Sequence, residues 1–586
     1  MSESVNPPSF PENPFQNIAV ACSGGGFRAA AFALGTLSYF HRLPWKSGKL
    51  IENVQFMASA SGGSITTAAY LHALYNNQTF GEYFTSLHSF LQKPTSLGEN
   101  GEELLKDALN ALSDDKIWKN NFKNRNLINA FASVYNNVFN QLTLGSVSKV
   151  AQNHHLKGIC FNATEFEKGF SFRFQSDTAT QNAHTGNHYL YFKGNRKADF
   201  LKIGDIVASS SCFPAGFEPM IFPNDFAYDE HIPALLQQAI DTRKKRVFGL
   251  MDGGITDNEA LGSLILADKR REKQQKNRFD LMVVCDVSGR FAESYKPPLP
   301  SATKGWQQWS IRQIINYMYS GKIAMWSSVI AVITSFFINN PILSKLLLGA
   351  GCLLFFPALA INFIYDNFKK GLRRGKNQLD KNNNISWENI MEPYLNYFSG
   401  LKLGTIKNML QARVNSVVIL ASDIFLKQIR RNIYAYFYEN DKWSNRRISQ
   451  FVYELSNFNS DNRRNLLKNI GISSVLKTIL SPSPAMETIA EKARTMTTTL
   501  WFDKQHVEKK KLRDLVTCGQ FTLCYNLLLY IYELENNIEI WENINNQADI
   551  LILKEILQKD WEEFHRYPYW LYEQFTKEAV SLNLIS

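Results

Sequence analysis

From residue 15 to about residue 290, short apolar runs alternate with longer stretches of helical spacing. Ile18-Ala-Val-Ala-Cys22, Val54-Gln-Phe-Met-Ala58, Gly158-Ile-Cys-Phe161, Val247-Phe-Gly-Leu-Met251 and Leu281-Met-Val-Val-Cys-Asp-Val287 have the length and character of buried strands. Small-residue segments follow the first two, running through Leu34-Gly-Thr-Leu37 and Ser64-Ile-Thr-Thr-Ala-Ala-Tyr70, and read as helices. This alternation predicts a three-layer α/β/α sandwich around a mostly parallel central sheet. Between Tyr70 and Gly158 lie roughly 80 residues of helical character, the length of an inserted lid or substrate platform.

The pattern changes at Ile323. Ile323 to Ile338 is uncharged for about 16 residues, Asn339-Asn-Pro341 breaks it, and Ile342 to Tyr365 follows with Lys345 as its one charge. Lys304, Arg312 and Lys322 precede the pair, and Lys369, Lys370, Arg373, Arg374 and Lys376 follow it. Two apolar helices with basic flanks predict a membrane hairpin over residues 323–365, crossing twice or re-entrant, whose ends both face the cytoplasm; the alternative is a buried helical pair in a large core. After Asn377 the spacing is mainly helical, ending in an aromatic-rich stretch, Trp561 to Phe575, expected to pack as an end-cap. The expected division is a tail over 1–13, a catalytic core over 14–300, the basic-flanked hairpin over 301–376, and a helical region over 377–586 that completes and caps the core.

Composition narrows the partners. With 45% hydrophobic and 20% charged residues the chain is a folding one. Its +11 formal charge is a mild excess that fits nucleic acid, an anionic bilayer surface or no specific partner. No nucleic acid partner is expected. The opening Met1-Ser-Glu-Ser-Val-Asn-Pro-Pro lacks the charged-then-apolar pattern of an export signal. The seven cysteines are odd in number and mostly lie in apolar runs, as free thiols of a reducing compartment do. No His-Glu-x-x-His or Cys-x-x-Cys is present, so neither a metal nor a cofactor is expected.

The candidate chemistry sits at two strand-to-helix turns. Ser23-Gly-Gly-Gly26-Phe-Arg28 leaves backbone N–H groups bare at a helix start, suited to an oxyanion. Ser59-Ala-Ser61-Gly-Gly63 places a serine at the apex of a tight turn, as a nucleophile elbow does. Asp252, directly after an apolar strand and before Gly253-Gly254, is the candidate base at a strand's C-terminal edge. A dinucleotide site would also use Gly24-x-Gly26, but the only acid nearby, Glu52, precedes the second strand, and no Gly-Lys-Ser/Thr follows for a P-loop. A serine–aspartate–histidine triad would need His506 or His565, both in helical, charged surroundings.

In combination and in this order, Ser23-Gly-Gly-Gly-Phe-Arg-Ala29, Ser59-Ala-Ser61-Gly-Gly63, Ala208-Ser-Ser-Ser-Cys-Phe-Pro214 with Phe217-Glu-Pro219, and Met251-Asp252-Gly-Gly254 resemble the patatin-like phospholipase family. The resemblance implies a Ser61–Asp252 dyad without histidine and an oxyanion hole from Gly24, Gly25 and Gly26. It implies hydrolysis of acyl esters in membrane phospholipid or related lipids, of phospholipase A or lysophospholipase type. Arg28 is expected either to brace the glycine loop or to meet a lipid phosphate. The family's elbow usually opens with glycine; Ser59 stands there, and some backbone strain is expected at that residue. The alternative from another class is a membrane-anchored scaffold that keeps the fold but only binds or remodels lipid.

Overall fold

The structure is a computed structural model and describes residues 11–92, 103–119, 123–180, 184–188, 192, 198–214, 216–228, 247–276, 278–288, 305–382 and 399–581. The start of the predicted tail, Lys304 and the side chains from Lys369 to Lys376, apart from Lys370, lie outside the described set. The chain divides into two compact units, one of Met1–Phe291 with Leu426–Ser586 and one of Ala292–Phe425.

The first unit is built on a mixed, mostly parallel sheet with flanking helices. Its strands are β1 (Ile18–Cys22), β2 (Val54–Ala60), β3 (Gly158–Glu165), β4 (Phe170–Asp177), β5 (Met220–Phe222), β6 (Phe248–Asp252), β7 (Leu281–Asp286) and β8 (Arg447–Phe451). The spatial order is β8-β7-β1-β2-β3-β6-β5, with β4 paired to β3. β8, β7, β1, β2 and β3 run parallel, whereas β4 and β6 are antiparallel to β3. The edge strand β8 comes from the region read as helical: Arg447-Ile-Ser-Gln-Phe451 alternates, burying Ile448 and Gln450, and its five residues are too few to stand out between helices.

One register decides where the chemistry sits. β4 pairs with β3 along its whole length, from Gly158 to Glu165. The opposite edge of β3 is shared: β2 takes Gly158 to Asn162, and β6 takes Ala163 to Glu165 from the other direction. β2 and β6 therefore meet tip to tip. Ala60 pairs with Asn162 and Asp252 with Ala163, so the turn after β2 faces the end of β6. Asp252 lies at the end of its strand as expected, but that strand is antiparallel and reaches the site by stopping short.

Helix α1 (Gly26–Arg42) follows β1, and α2 (Gly62–Tyr75) follows β2. The same unit holds α3 (Leu127–Val138), α4 (Ile203–Ser210) and α5 (Leu261–Lys273), with α9 (Leu426–Tyr438), α10 (Lys511–Asn536) and α11 (Gln547–Arg566) from beyond the second unit. α1 packs backbone to backbone on α10: a Cβ at Gly35 would lie 3.1 Å from the Gly519 Cα, so both positions need glycine for this approach. The terminal aromatics close the core, with Trp561, Phe564 and Phe575 buried.

The second unit contains α6 (Ile311–Ser335), α7 (Pro341–Asn382) and α8 (Leu403–Ile419). A capping box between Ser310 and Gln313 starts α6. α6 and α7 lie antiparallel: Ser344 Oγ donates to the Ser335 carbonyl at 2.7 Å, and Asn362 Nδ2 lies 3.3 Å from Met325 Sδ. Among the described residues two helices are long and apolar enough to cross a membrane, Pro341–Phe363 and Lys511–Asn536. The apolar stretch of the latter is buried and it is a core helix, while Pro341–Phe363 leaves Leu353 and Phe356 exposed. The first segment of the predicted hairpin lies in α6, a 25-residue helix that also carries Arg312 and Lys322. That helix ends at Ser335, so the uncharged stretch from Ile323 covers about 20 Å of its length. Cys352, on α7, is the one exposed thiol among the described cysteines.

Candidate active site

Ser61 stands at the apex between β2 and α2 with φ 49 and ψ −123, a conformation costly for any residue with a Cβ. The strain expected at Ser59 is carried here instead. Ser59 is the penultimate strand residue, paired with Cys22 and Phe161, and needs no unusual backbone. The apex is tied down from below: Ser61 N–H reaches the Ser210 carbonyl at 3.1 Å and Ser210 Oγ at 3.0 Å. Ser210 Oγ in turn donates to the Asn162 carbonyl at 2.6 Å and lies 2.8 Å from Ser64 Oγ, which donates to Ser59 Oγ at 3.2 Å. Ser59 is thus part of a buried hydroxyl chain under the turn.

Ser61 Oγ donates to Asp252 Oδ2 at 2.7 Å across 191 residues of sequence. The other carboxylate oxygen, Oδ1, accepts the Gly254 N–H at 2.6 Å, and the Asp252 N–H donates to the Cys212 carbonyl at 2.9 Å. Burial pushes the Asp252 carboxyl up to about 6, opposed by the Ser61 hydroxyl, the Gly254 N–H and the Arg430 charge. A carboxylate so placed is a better proton acceptor than one in water.

The glycine loop splits into two roles. Gly24 N–H donates to the Asn258 carbonyl at 2.8 Å and is not free for a substrate, contrary to expectation. Asn258 follows the Asp-Gly-Gly turn by a few residues, so this bond locks the glycine loop to the Asp252 turn. The N–H groups of Gly25 and Gly26 have no acceptor among the described residues. These two glycines have φ 146 and 63, and a Cβ at Gly26 would collide with the Thr499 carbonyl. That carbonyl accepts the Phe27 N–H at 2.8 Å. Arg28 is buried, its guanidinium donating to the carbonyls of Met496 and Val287, and burial lowers it to about 10. It ties the loop to two flanking segments, which is the bracing geometry rather than an open phosphate site.

Residues 20–265 match the model of the patatin-like phospholipase family, a span that takes in the glycine loop, Ser61 and Asp252. The chain carries a patatin-like phospholipase domain. Among solved structures the chain is similar to human GIVD cytosolic phospholipase A2, at 11% identity and a TM-score of 0.32, over 47% of this chain and 46% of that one. The chain thus spans less than half the length of the human enzyme. It is also similar to VipD from Legionella pneumophila, at 12% identity and a TM-score of 0.25, over 96% of both chains. No curated protein matches the sequence.

Around the patatin-like site runs an arc of rings. Phe213 follows Cys212, whose carbonyl holds Asp252, and meets Phe217 edge-on at 5.6 Å. Phe217 meets Phe131 of α3 at 5.3 Å, and Phe131 stacks on Trp501 at 6.2 Å, two residues beyond Thr499. The inserted helical stretch thus supplies the middle of an apolar wall whose ends adjoin the Asp252 turn and the glycine loop. His506 accompanies Asp503, 2.6 Å away, and His565 packs on Trp561. Neither bonds to Ser61 or Asp252.

Sequence reading did not single out Ser210, Asn258, Thr499 or Arg430. Ser210 lies in the Ala208–Pro214 motif and could have been found there. Arg430, one turn into α9, donates from Nε and Nη2 to the Gly254 carbonyl at 3.2 and 2.9 Å. It lies 176 residues away in an ordinary basic helix, and no local pattern marks it.

Proposed function

We propose that the protein is a serine hydrolase of lipid acyl esters, of phospholipase A or lysophospholipase type, acting at a membrane. The observation that carries the reading is the 2.7 Å bond from Ser61 Oγ to Asp252 Oδ2, at an apex held in a strained conformation. In the proposed reaction Asp252 takes the Ser61 proton as Oγ attacks the ester carbonyl. The Gly25 and Gly26 N–H groups receive the developing oxyanion, each worth a few kcal/mol to the transition state (about 3). Collapse expels the lysolipid or glycerol oxygen, which takes the proton back from Asp252, and leaves Ser61 acylated. Asp252 then draws a proton from a water that attacks the acyl-enzyme, and the fatty acid leaves as Ser61 regains its hydrogen. No histidine takes part.

The ring arc from Phe213 to Trp501 supports an apolar acyl chain as the group beside Ser61. The exposed apolar helix Pro341–Phe363 supports membrane attachment, and the cations that follow it in sequence support a cytoplasm-facing catalytic unit. The test is fatty-acid release from phosphatidylcholine and lysophosphatidylcholine vesicles by wild type, Ser61→Ala and Asp252→Ala. Release by the wild type alone is expected. Equal release by all three overturns the reading, and lipid binding without release by any of them favours the scaffold alternative.

A further inference from the structure

The Asp252 carboxylate is aimed by a three-residue turn, and its outer carbonyl, that of Gly254, is held by a side chain from a distant helix. Arg430 contributes two donors of its guanidinium, Nε at 3.2 Å and Nη2 at 2.9 Å, to this single oxygen. On the other face of the turn the Gly254 N–H donates to Asp252 Oδ1. Gly254 is thus held on both sides, the peptide before it by its N–H on the carboxylate that must stay aimed at Ser61 and the peptide after it by its carbonyl on Arg430. We propose that Arg430 is a positioning residue for the Ser61–Asp252 pair, holding the Asp-Gly-Gly turn so that Oδ2 faces Ser61 Oγ and keeping a positive charge beside the carboxylate.

This inference rests on the proposed dyad and adds to it a residue that never touches substrate. The Arg430 charge acts on the Asp252 carboxyl directly, opposing the effect of burial. Asp252 faces the Ser61 hydroxyl, the Cys212 thiol, the Gly254 N–H and Arg430. Arg430 also faces Glu259, whose carboxyl burial, with Asp286 adding, raises while Arg430 opposes the shift. Asp286 beyond it accepts from the Tyr434 hydroxyl at 2.6 Å and the Ser288 N–H at 2.7 Å. Arg430 pulls the Asp252 carboxyl down against burial, so losing the charge moves that carboxyl further up.

The experiment is the rate of Ser61 labelling by a fluorophosphonate as a function of pH, which needs no lipid; Oγ bonds to phosphorus, fluoride leaves, and Asp252 takes the proton. Wild type, Arg430→Gln, Arg430→Lys and Ser61→Ala are compared, with melting curves to establish folding. Arg430→Gln is expected to label about 10- to 100-fold more slowly at neutral pH, with its rising limb displaced to more alkaline pH. Arg430→Lys is expected to keep the wild-type limb and recover part of the rate, since the charge remains while the two-donor fork is lost. Arg430→Gln with an unmoved limb, whether at full or uniformly reduced rate, overturns the inference and leaves the dyad standing. Wild type that does not label at Ser61 overturns the dyad and the inference with it. If Arg430→Gln does not fold, Arg430→Lys decides: a displaced limb with the charge retained overturns the inference.

Discussion

Holding an ionised carboxylate in a dry turn costs stability, and the cost can be read against pH. The perturbation is Asp252→Asn. The asparagine keeps an oxygen for the Gly254 N–H, and its amide can donate to Ser61 Oγ, so the principal change is the loss of the buried charge. In the folded chain burial raises the Asp252 carboxyl from 3.8 to about 6. At about 1.4 kcal/mol per tenfold, that gap means the folded state of the wild type is destabilised by about 3 kcal/mol wherever the group is ionised in both folded and unfolded chains. The direction follows from proton binding. Between 3.8 and about 6 the folded chain binds more protons than the unfolded one, so stability falls as pH rises through this window and the penalty is complete above it. Asp252→Asn is therefore expected to be more stable than wild type by about 3 kcal/mol near pH 7.5, shrinking to about 1 kcal/mol near pH 4.5, while losing activity about 10³-fold. Urea denaturation at the two pH values reads the difference. A variant less stable than wild type near pH 7.5, or a gap that does not change with pH, refutes the reasoning.

Three further outcomes follow from the same geometry. Activity in the wild type should rise with a limb near pH 6 and stay level above it, because the base must be ionised; a kcat/KM profile that falls between pH 6 and pH 8 counts against Asp252 as base. Gly26→Ala should lower kcat by about 10²-fold or more with little change in KM, since the added Cβ meets the Thr499 carbonyl at a positive φ and displaces the loop proposed to offer the oxyanion donors; steady-state kinetics on a short-chain ester measures it. Leu353→Lys combined with Phe356→Lys, both exposed on Pro341–Phe363, should release the protein from floated vesicles, each charge costing about 3 kcal/mol at a bilayer centre, while unchanged flotation contradicts a membrane role for this helix.

The two elbows and the central strands were legible because each is a local signal. A buried strand is a short apolar run, and a turn that exposes amides is written in consecutive glycines. The antiparallel strand Phe170–Asp177, the three-residue strand Met220–Phe222 and the edge strand Arg447–Phe451 were not, since what makes them strands is a partner elsewhere in the chain. The same limit explains the site. Ser61 and Asp252 could be named from their turns, but the assignment of Gly24 as a free donor failed because its acceptor, the Asn258 carbonyl, belongs to a turn more than two hundred residues away. Ser59 was expected to be strained because its type departs from the resembled pattern. The register with Cys22 and Phe161 shows instead that it ends a strand, and the strain falls on Ser61. The first apolar segment was read as running to Ile338, whereas its helix ends at Ser335, a difference of three residues that the apolar run through Phe336, Phe337 and Ile338 hides.

The claim on which all of this depends is that the hydroxyl at the apex, and no neighbouring one, is the nucleophile. Four serines, Ser59, Ser61, Ser64 and Ser210, are linked by hydrogen bonds at this turn, so mapping a covalent adduct by mass spectrometry after reaction with a fluorophosphonate or a slowly deacylating ester tests it most directly. The adduct is expected on Ser61 alone and absent from Asp252→Asn over the same interval. An adduct on Ser64 or Ser210, or one that forms as fast without the Asp252 carboxylate, would contradict the account.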